Sequence, residues 1–320
     1  LSIRRQRQMC IRDSNTFTAV SQMWIQGRVY WRRPDVLIFI NGLPMVFVEL
    51  KNSIVKVEEA YNDNLKNYLR DIPNLFALNQ ICVLSNGLET RLGAFNATYN
   101  HFFEWLKVDS EKERPDRQAL KEAGTVGESS VRYFIDGLLQ KGRLIDYIEN
   151  FIMFRNQKNK IIAKNHQYFG VNNLMESVKN RAELQGKLGV FWHTQGSGKS
   201  FSMVFFVRKV RRKISGNFTF LIITDREDLD DQIHKNFVKT EVIGQKEECQ
   251  PKNGKQLRDY LQTNKSFIFT LIHKFRYDKG KKYPVLSTRD DIIVLVDEAH
   301  RTQYKDCLLY TSPSPRDRTR

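Results

Sequence analysis

Long apolar runs are missing from this 320-residue chain. The longest, such as 292–296 (IIVLV), reach five residues, against the about 20 that a membrane-spanning helix needs, so an integral membrane protein is excluded. Cysteine is scarce as well. The four residues, Cys10, Cys82, Cys249 and Cys307, are widely scattered, which yields neither a disulfide framework nor a zinc-binding spacing and fits a reducing, cytoplasmic setting. With 8 Pro and 17 Gly the chain has no collagen-like or disordered character, and no internal repeat is visible. Acidic residues are outnumbered, 36 to 52 basic ones, for a formal charge of +16. Such an excess on an otherwise globular composition points to a polyanionic partner, most often nucleic acid.

The chain opens on Leu1 rather than Met and reads as a fragment. Residues 1–14 and 307–320 together hold seven Arg and no Lys, whereas the rest of the chain uses both. They resemble translated adapter sequence and are set aside as non-native ends that carry no information about the fold. The remainder is still basic.

Between those ends the pattern changes once. Runs 36–40 (VLIFI) and 45–50 (MVFVEL) flank Asn41-Gly42-Leu43-Pro44, which predicts a β-hairpin. Spacing over 57–69 predicts a helix, and 80–84 a strand ended by Ser85-Asn86-Gly87. Residues 107–130 are charged and turn-rich and read as a linker, followed by a bridging helix over 131–154. From about residue 160, apolar strands at 188–192, 218–223, 267–270 and 292–296 alternate with helices at 199–213 and 229–237. That alternation predicts a parallel sheet with crossover helices. The expected organisation is 15–106, a linker with bridging helix at 107–159, and 160–306.

In the second part, His193-Thr194-Gln195-Gly196-Ser197-Gly198-Lys199-Ser200 lies between a predicted strand and a predicted helix. Two glycines let the backbone wrap phosphates, and the helix N-terminus adds positive potential. Lys199 is placed to reach the β- and γ-phosphates of ATP and Ser200 to ligate Mg²⁺. The usual first Gly of this pattern is replaced by His193. Asp297-Glu298-Ala299-His300 follows the apolar strand 292–296. A carboxylate at the C-terminal end of such a strand lies near the phosphate turn, so Asp297 is read as a second Mg²⁺ ligand and Glu298 as the group orienting the attacking water.

In the first part, Asp35 follows Arg32-Arg33-Pro34, and Glu49-Leu50-Lys51 ends the second hairpin strand. Positions 35 and 49 are centred on residue 42, so an antiparallel hairpin brings the two acids together. Glu49 and Lys51, two apart, share a face. Two carboxylates and a lysine suit metal-assisted phosphodiester cleavage. Asp35 and Glu49 would bind Mg²⁺, with the Leu50 carbonyl, while Lys51 positions water or stabilises developing charge.

This arrangement is the PD-(D/E)xK nuclease pattern. The related nucleases often carry Gln-x-x-x-Tyr on the following helix; here the place reads Asn64-Leu65-Lys66-Asn67-Tyr68, with a shorter amide. The second part resembles superfamily 2 helicases, through 224–229 (TDREDL) and 270–275 (TLIHKF) and through Gln167, placed where that family reads adenine. Together the chain resembles the restriction (R, motor) subunit of type I restriction–modification enzymes. The resemblance implies an α/β protein: a PD-(D/E)xK nuclease-like domain followed by a RecA-like P-loop parallel-sheet domain. It further implies an ATP-dependent endonuclease that pumps double-stranded DNA and cuts it far from the recognition site. Its partners would be methyltransferase (M) and specificity (S) subunits, with S-adenosylmethionine on the methyltransferase. The sequence stops just after the Asp-Glu-Ala-His motif, so this stretch is expected to bind nucleotide weakly without translocating. A DNA repair helicase–nuclease and a non-catalytic DNA-binding remnant are the alternatives. Type III restriction subunits place the nuclease after the motor, and an RNA helicase would not need the acids at 35 and 49.

Overall fold

The computed structural model describes residues 14–110, 112–113, 129–192, 194, 196–245, 247–275 and 285–298. The expectations for the two ends, for most of the linker, for His193 and Gln195, and for Ala299 onward lie outside them. The chain divides into two compact units, Leu1–Trp192 and His193–Arg320.

The first unit is built on a mixed sheet. Its strands are β1 (Phe17–Ser21), β4 (Val36–Ile40), β5 (Leu43–Leu50), β6 (Ile81–Ser85), β7 (Thr90–Gly93) and β8 (Phe103–Glu104), in that spatial order. A two-strand ribbon, β2 (Ile25–Gln26) with β3 (Trp31–Arg32), stands apart from the sheet. The β4–β5 hairpin turns at Asn41 (φ 52°) and Gly42 (φ 79°), the doubly left-handed geometry that matches strand twist. A register shift between Ile38 and Phe39 separates the turn from the pairs Leu37↔Phe47 and Val36↔Val48. The parallel neighbour β6 is reached through helix α1, the helical stretch 57–71, with an α-turn at Val57–Glu59, a π-turn at Ala60–Leu65 and an α-helix at Lys66–Asp71. Leu37, Phe47, Cys82 and Leu84 present one sheet face to Val57, Ala60, Leu65 and Tyr68 of this stretch and to Ile72 just after it.

The predicted single helix over 131–154 is three elements: α2 (Ser130–Leu138), α3 (Lys141–Asn150) and strand β9 (Ile152–Arg155). Gln140 takes an extended ψ of 124° and breaks the helix. Asn156 and Gln157, both at positive φ, turn the chain so that β9 pairs with β10 (Asn159–Ile162). Helix α4 (Asn165–Lys179) follows. Its Tyr168 and Phe169 join Trp105, Tyr147 and Phe151 in a buried aromatic cluster, with Tyr168 and Phe151 centroids 4.7 Å apart. The predicted strand 188–192 is not one. Gly189 at φ 123° takes the backbone out of the extended region, and Val190 and Trp192 are 90% and 75% exposed.

The second unit places β11 (Thr219–Thr224) between β12 (Phe267–Leu271) and β13 (Ile292–Val296), all parallel. Helix α5 (Lys199–Lys213) opens the unit, and α6 (Glu227–Lys239) and α7 (Gly254–Gln262) lie in the crossover from β11 to β12. Parallel strands covered on both faces need continuous apolar sequence, and β11 and β12 are buried at every position. Alternation sends Leu221, Ile223 and Ile268 to Leu257 and Leu261 of α7, and Phe267 and Phe269 to Phe237 of α6. Both units are α/β, and the second has the parallel-sheet, RecA-like character expected.

Trp105 is completely buried where that aromatic cluster forms. Trp105→Ala is expected to destabilise the first unit by about 3–5 kcal/mol, read as a lowered urea midpoint.

Candidate functional site

Glu49 sits two residues beyond Phe47 on β5 and so shares its core-facing side. Its parallel partner is Leu84. The side chain is 3% exposed. Its Oε1 accepts a hydrogen bond from Asn64 Nδ2, and its buried Oε2 has no hydrogen-bond partner. Asn64 lies in the π-turn of α1, and Tyr68 four residues on shares its face. The Tyr68 hydroxyl donates to the Arg33 carbonyl at 3.3 Å. Asp35, at the entry to β4, accepts from the backbone N–H of Leu50 through Oδ2 at 2.8 Å, so its carboxylate reaches across the hairpin to the residue beside Glu49. Lys51 donates its backbone N–H to Ser85 O at 2.7 Å.

Burial, and next the nearby Asp35 charge, push the Glu49 carboxyl up to about 8; Lys51, the Tyr68 hydroxyl and the Asp35 backbone N–H act in the opposite sense. Burial and Glu49 in turn push the Tyr68 phenol up to about 12. Two carboxylates repelling in a desolvated corner, one with an unmatched oxygen, form a donor set that a hard cation would complete. Among the described residues no group of three or more His, Cys, Asp or Glu is poised for a metal.

In the second unit, Gly196 (φ 78°) and Gly198 (φ 92°) adopt the left-handed conformations that a phosphate-wrapping turn demands. Ser197 Oγ donates to the Thr194 carbonyl at 2.7 Å, closing the turn. Gly198 caps α5, which begins at Lys199 and continues through Ser200. The acids arrive on β13. Asp297 N–H bonds the Ile223 carbonyl at 2.9 Å, one step past the β11–β13 ladder, and Asp297 Oδ1 accepts from Glu298 N–H at 3.0 Å. Glu298 Oε1 meets Lys199 Nζ at 2.9 Å. Residues 98 and 99 apart in sequence are thus joined at the carboxyl ends of the strands, where open α/β sheets bind ligands.

The family described as "Type I restriction enzyme R protein N terminus" matches residues 8–101, and the family "SWI2/SNF2 ATPase" matches residues 166–311. Over 91% of its length the chain is 36% identical to the type I restriction enzyme HindI endonuclease subunit of Haemophilus influenzae, covering 28% of that protein. It is 32% identical to the putative type I restriction enzyme MjaIXP endonuclease subunit of Methanocaldococcus jannaschii, covering 29% of it. The SsaAORF53P endonuclease subunit of Staphylococcus saprophyticus is 27% identical over the same share of the chain. The chain is thus similar to type I restriction R proteins through both of its matched segments. It spans less than a third of the length of these curated relatives.

The structure brings Asp35, Glu49 and Lys51 near one another, and it sets Glu298, next to Asp297, against Lys199. Gln167 lies at the start of α4 in the first unit, 4% exposed, where its Oε1 accepts from Lys164 N–H at 2.9 Å as part of a capping box. Asn64, despite its shorter amide, does reach Glu49. Sequence reasoning passed over residues 24–33, although three aromatics interleaved with arginines directly before Asp35 were a signal. No helix among the described residues is long and apolar enough to cross a membrane.

A carboxyl raised to about 8 holds its proton in the fold where the unfolded chain has already lost it. Its contribution to stability is whole below about pH 4.5 and falls away as pH climbs to about 8. Glu49→Gln is expected to keep that contribution, so the melting temperature of the variant should exceed that of the parent at pH 8 and match it near pH 4.5 in metal-free thermal melts.

Proposed function

We propose that the chain is the nuclease and first motor portion of a type I restriction R subunit, acting in the cytoplasm with M and S subunits on double-stranded DNA. The observation that carries the nuclease half is the buried, unpartnered Glu49 Oε2 beside Asp35. A carboxylate oxygen left unpaired in the core is unfavourable unless a ligand completes it. Asp35, Glu49 and the Leu50 carbonyl would hold Mg²⁺, which when bound supplies Lewis-acid polarisation of a phosphodiester and lowers the pKa of water. Lys51 places its ammonium beside the scissile phosphate, orients the attacking water and meets the charge that develops on phosphorus oxygens. Tyr68 and Asn64 position Glu49. A raised Glu49 pKa means the ion displaces a proton below about pH 8, so cleavage is favoured by alkaline conditions.

For the motor, Thr194, Gln195, Gly196, Ser197, Gly198 and Lys199 cradle ATP phosphates, Ser200 and Asp297 hold its Mg²⁺, and Glu298 orients the hydrolytic water. The Lys199–Glu298 pair keeps both groups at the same spot, and binding of a γ-phosphate would draw Lys199 away and release Glu298 for that task. S-adenosylmethionine belongs to the M subunit. ATP-driven pumping then precedes Mg²⁺-dependent cutting away from the recognition sequence.

The experiment is a pair of substitutions in the assembled enzyme. Asp35→Ala should abolish DNA cutting and leave ATP turnover, because it removes a metal ligand only. Lys199→Ala should abolish both, because cutting follows pumping. Intact cutting in Asp35→Ala would remove the metal assignment.

A further inference from the structure

The ribbon of β2 and β3 is too small to be stable alone, since even a full two-stranded hairpin is marginal in water. It is nevertheless held firmly. Arg32 Nε donates to Asp71 Oδ2 at 2.7 Å, Arg32 Nη2 bonds the same oxygen, and Asp71 is buried at the end of α1. Gly27 donates its N–H to Tyr30 O at 2.9 Å and passes so close to the Asp71 carbonyl that a Cβ would lie 2.1 Å from it. Glycine is required there. The ribbon is therefore mounted rigidly, yet it displays its largest side chains to solvent: Trp24 is 59% exposed, Tyr30 56% and Trp31 54%.

The register says which of these share a face. Ile25 pairs with Arg32 and Gln26 with Trp31. Arg32 turns inward to Asp71, so its neighbours Trp31 and Arg33 turn outward. Trp24, opposite Arg33, lies under its guanidinium at 5.1 Å. Arg28, at the tip of the ribbon, is exposed as well. Flat aromatic faces with arginine among them, rigidly exposed, are the chemistry that stacks nucleobases and holds the backbone joining them. A base inside a duplex has both faces covered, so only an unpaired one can use such a surface. Position adds to this. Arg33 is two residues from Asp35, a reach of at most about 7 Å along the chain, or about two nucleotide steps of about 3.4 Å.

We propose that Trp24 and Trp31, with Arg33, form a stacking platform for an unpaired nucleotide of the DNA strand presented to Asp35 and Glu49, so that the nuclease site favours strands unpaired beside the cut. This deepens the nuclease reading and rests on it for the word "cut". The binding surface itself is testable without cleavage.

The test uses the 320-residue chain in EDTA, with a fluorescein-labelled 20-nucleotide oligothymidylate and a 20-base-pair duplex as probes, read by anisotropy. Trp24→Leu/Trp31→Leu is expected to weaken single-strand binding about 10- to 100-fold and to change duplex binding less than about twofold. Trp24→Phe/Trp31→Phe, which keeps the rings, should recover most of the single-strand affinity, and equal melting temperatures show that both variants fold. Unchanged single-strand binding in the Leu pair overturns the platform, and so does an equal loss for both probes; the first result would mean the rings face a protein. If Asp35→Ala still cleaves, the nuclease reading falls while the EDTA measurement still decides whether the platform exists.

Discussion

The first unit depends on where the Glu49 carboxylate sits. Strand alternation fixes it on the side of β5 that Phe47 uses to pack against Tyr68, so a group that prefers water is carried into the core by the same geometry that builds the core. Asn64 satisfies one oxygen and the other is left over. Asp35, anchored on the Leu50 N–H, adds a second negative charge rather than a counter-charge. Burial is thus unfavourable at this spot, and the apolar packing of Leu37, Phe47, Leu65 and Leu84 holds the strand and helix around it. Unfavourable burial that persists because its surroundings over-determine it is the usual mark of a reaction centre.

The second unit handles charge differently. Lys199 and Glu298 retain side-chain exposures of 30% and 21%, and a half-buried pair still partly screened by solvent adds only modestly to stability. What it does is report geometry. The phosphate turn and the end of β13 are far apart in sequence, and the parallel ladder through β11 sets both at one edge. On the proposed reading, the pair would open for a ligand at modest cost, whereas the Asp35–Glu49 corner would gain when a cation arrived.

The sequence made the hairpin register legible, but not the reason for it. A two-residue turn at Asn41-Gly42 pairs Ile40 with Leu43, and continued without interruption it would set Asp35 opposite Val48. The irregularity between Ile38 and Phe39 adds the one residue that moves the pairing to Val36↔Val48, and a one-residue slip changes which face every side chain takes. Nothing in VLIFI or MVFVEL announces that bulge. Two other places show the same limit. At 188–192 a short apolar run carried strand character, but Gly189 bends it away, and apolar content alone does not reveal backbone direction. At 156–157 the turn is made by Asn and Gln at positive φ, without the Gly that marks turns in sequence, so the strand after α3 was read as more helix. The acids, the lysines and the glycines of the sites were visible because their chemistry restricts residue type. Asn64 was visible as a position, while its reach to Glu49 depends on the π-turn that precedes Tyr68.

A single short stretch joins the acid site to the surface outside it. Arg33 offers its carbonyl to the Tyr68 hydroxyl and its guanidinium to the Trp24 ring, so one residue touches the inner and the outer arrangement. Pro34 follows, with φ fixed near −65° and no N–H to divert the chain, and it also restricts Arg33 to extended backbone. Asp35 comes next. Two residues with little backbone freedom, Arg33 and Pro34, therefore link the ring-bearing ribbon to Asp35. Tyr68 is the pivot, because it packs on Phe47, lies beside Glu49 and holds Arg33 from below. Displacement of the ribbon by a bound strand would act on Asp35 through Arg33 and Pro34, and any shift of α1 would move Asn64 and Tyr68 together. A strand held on the ribbon would for that reason be mechanically coupled to the spacing of the carboxylates in this unit.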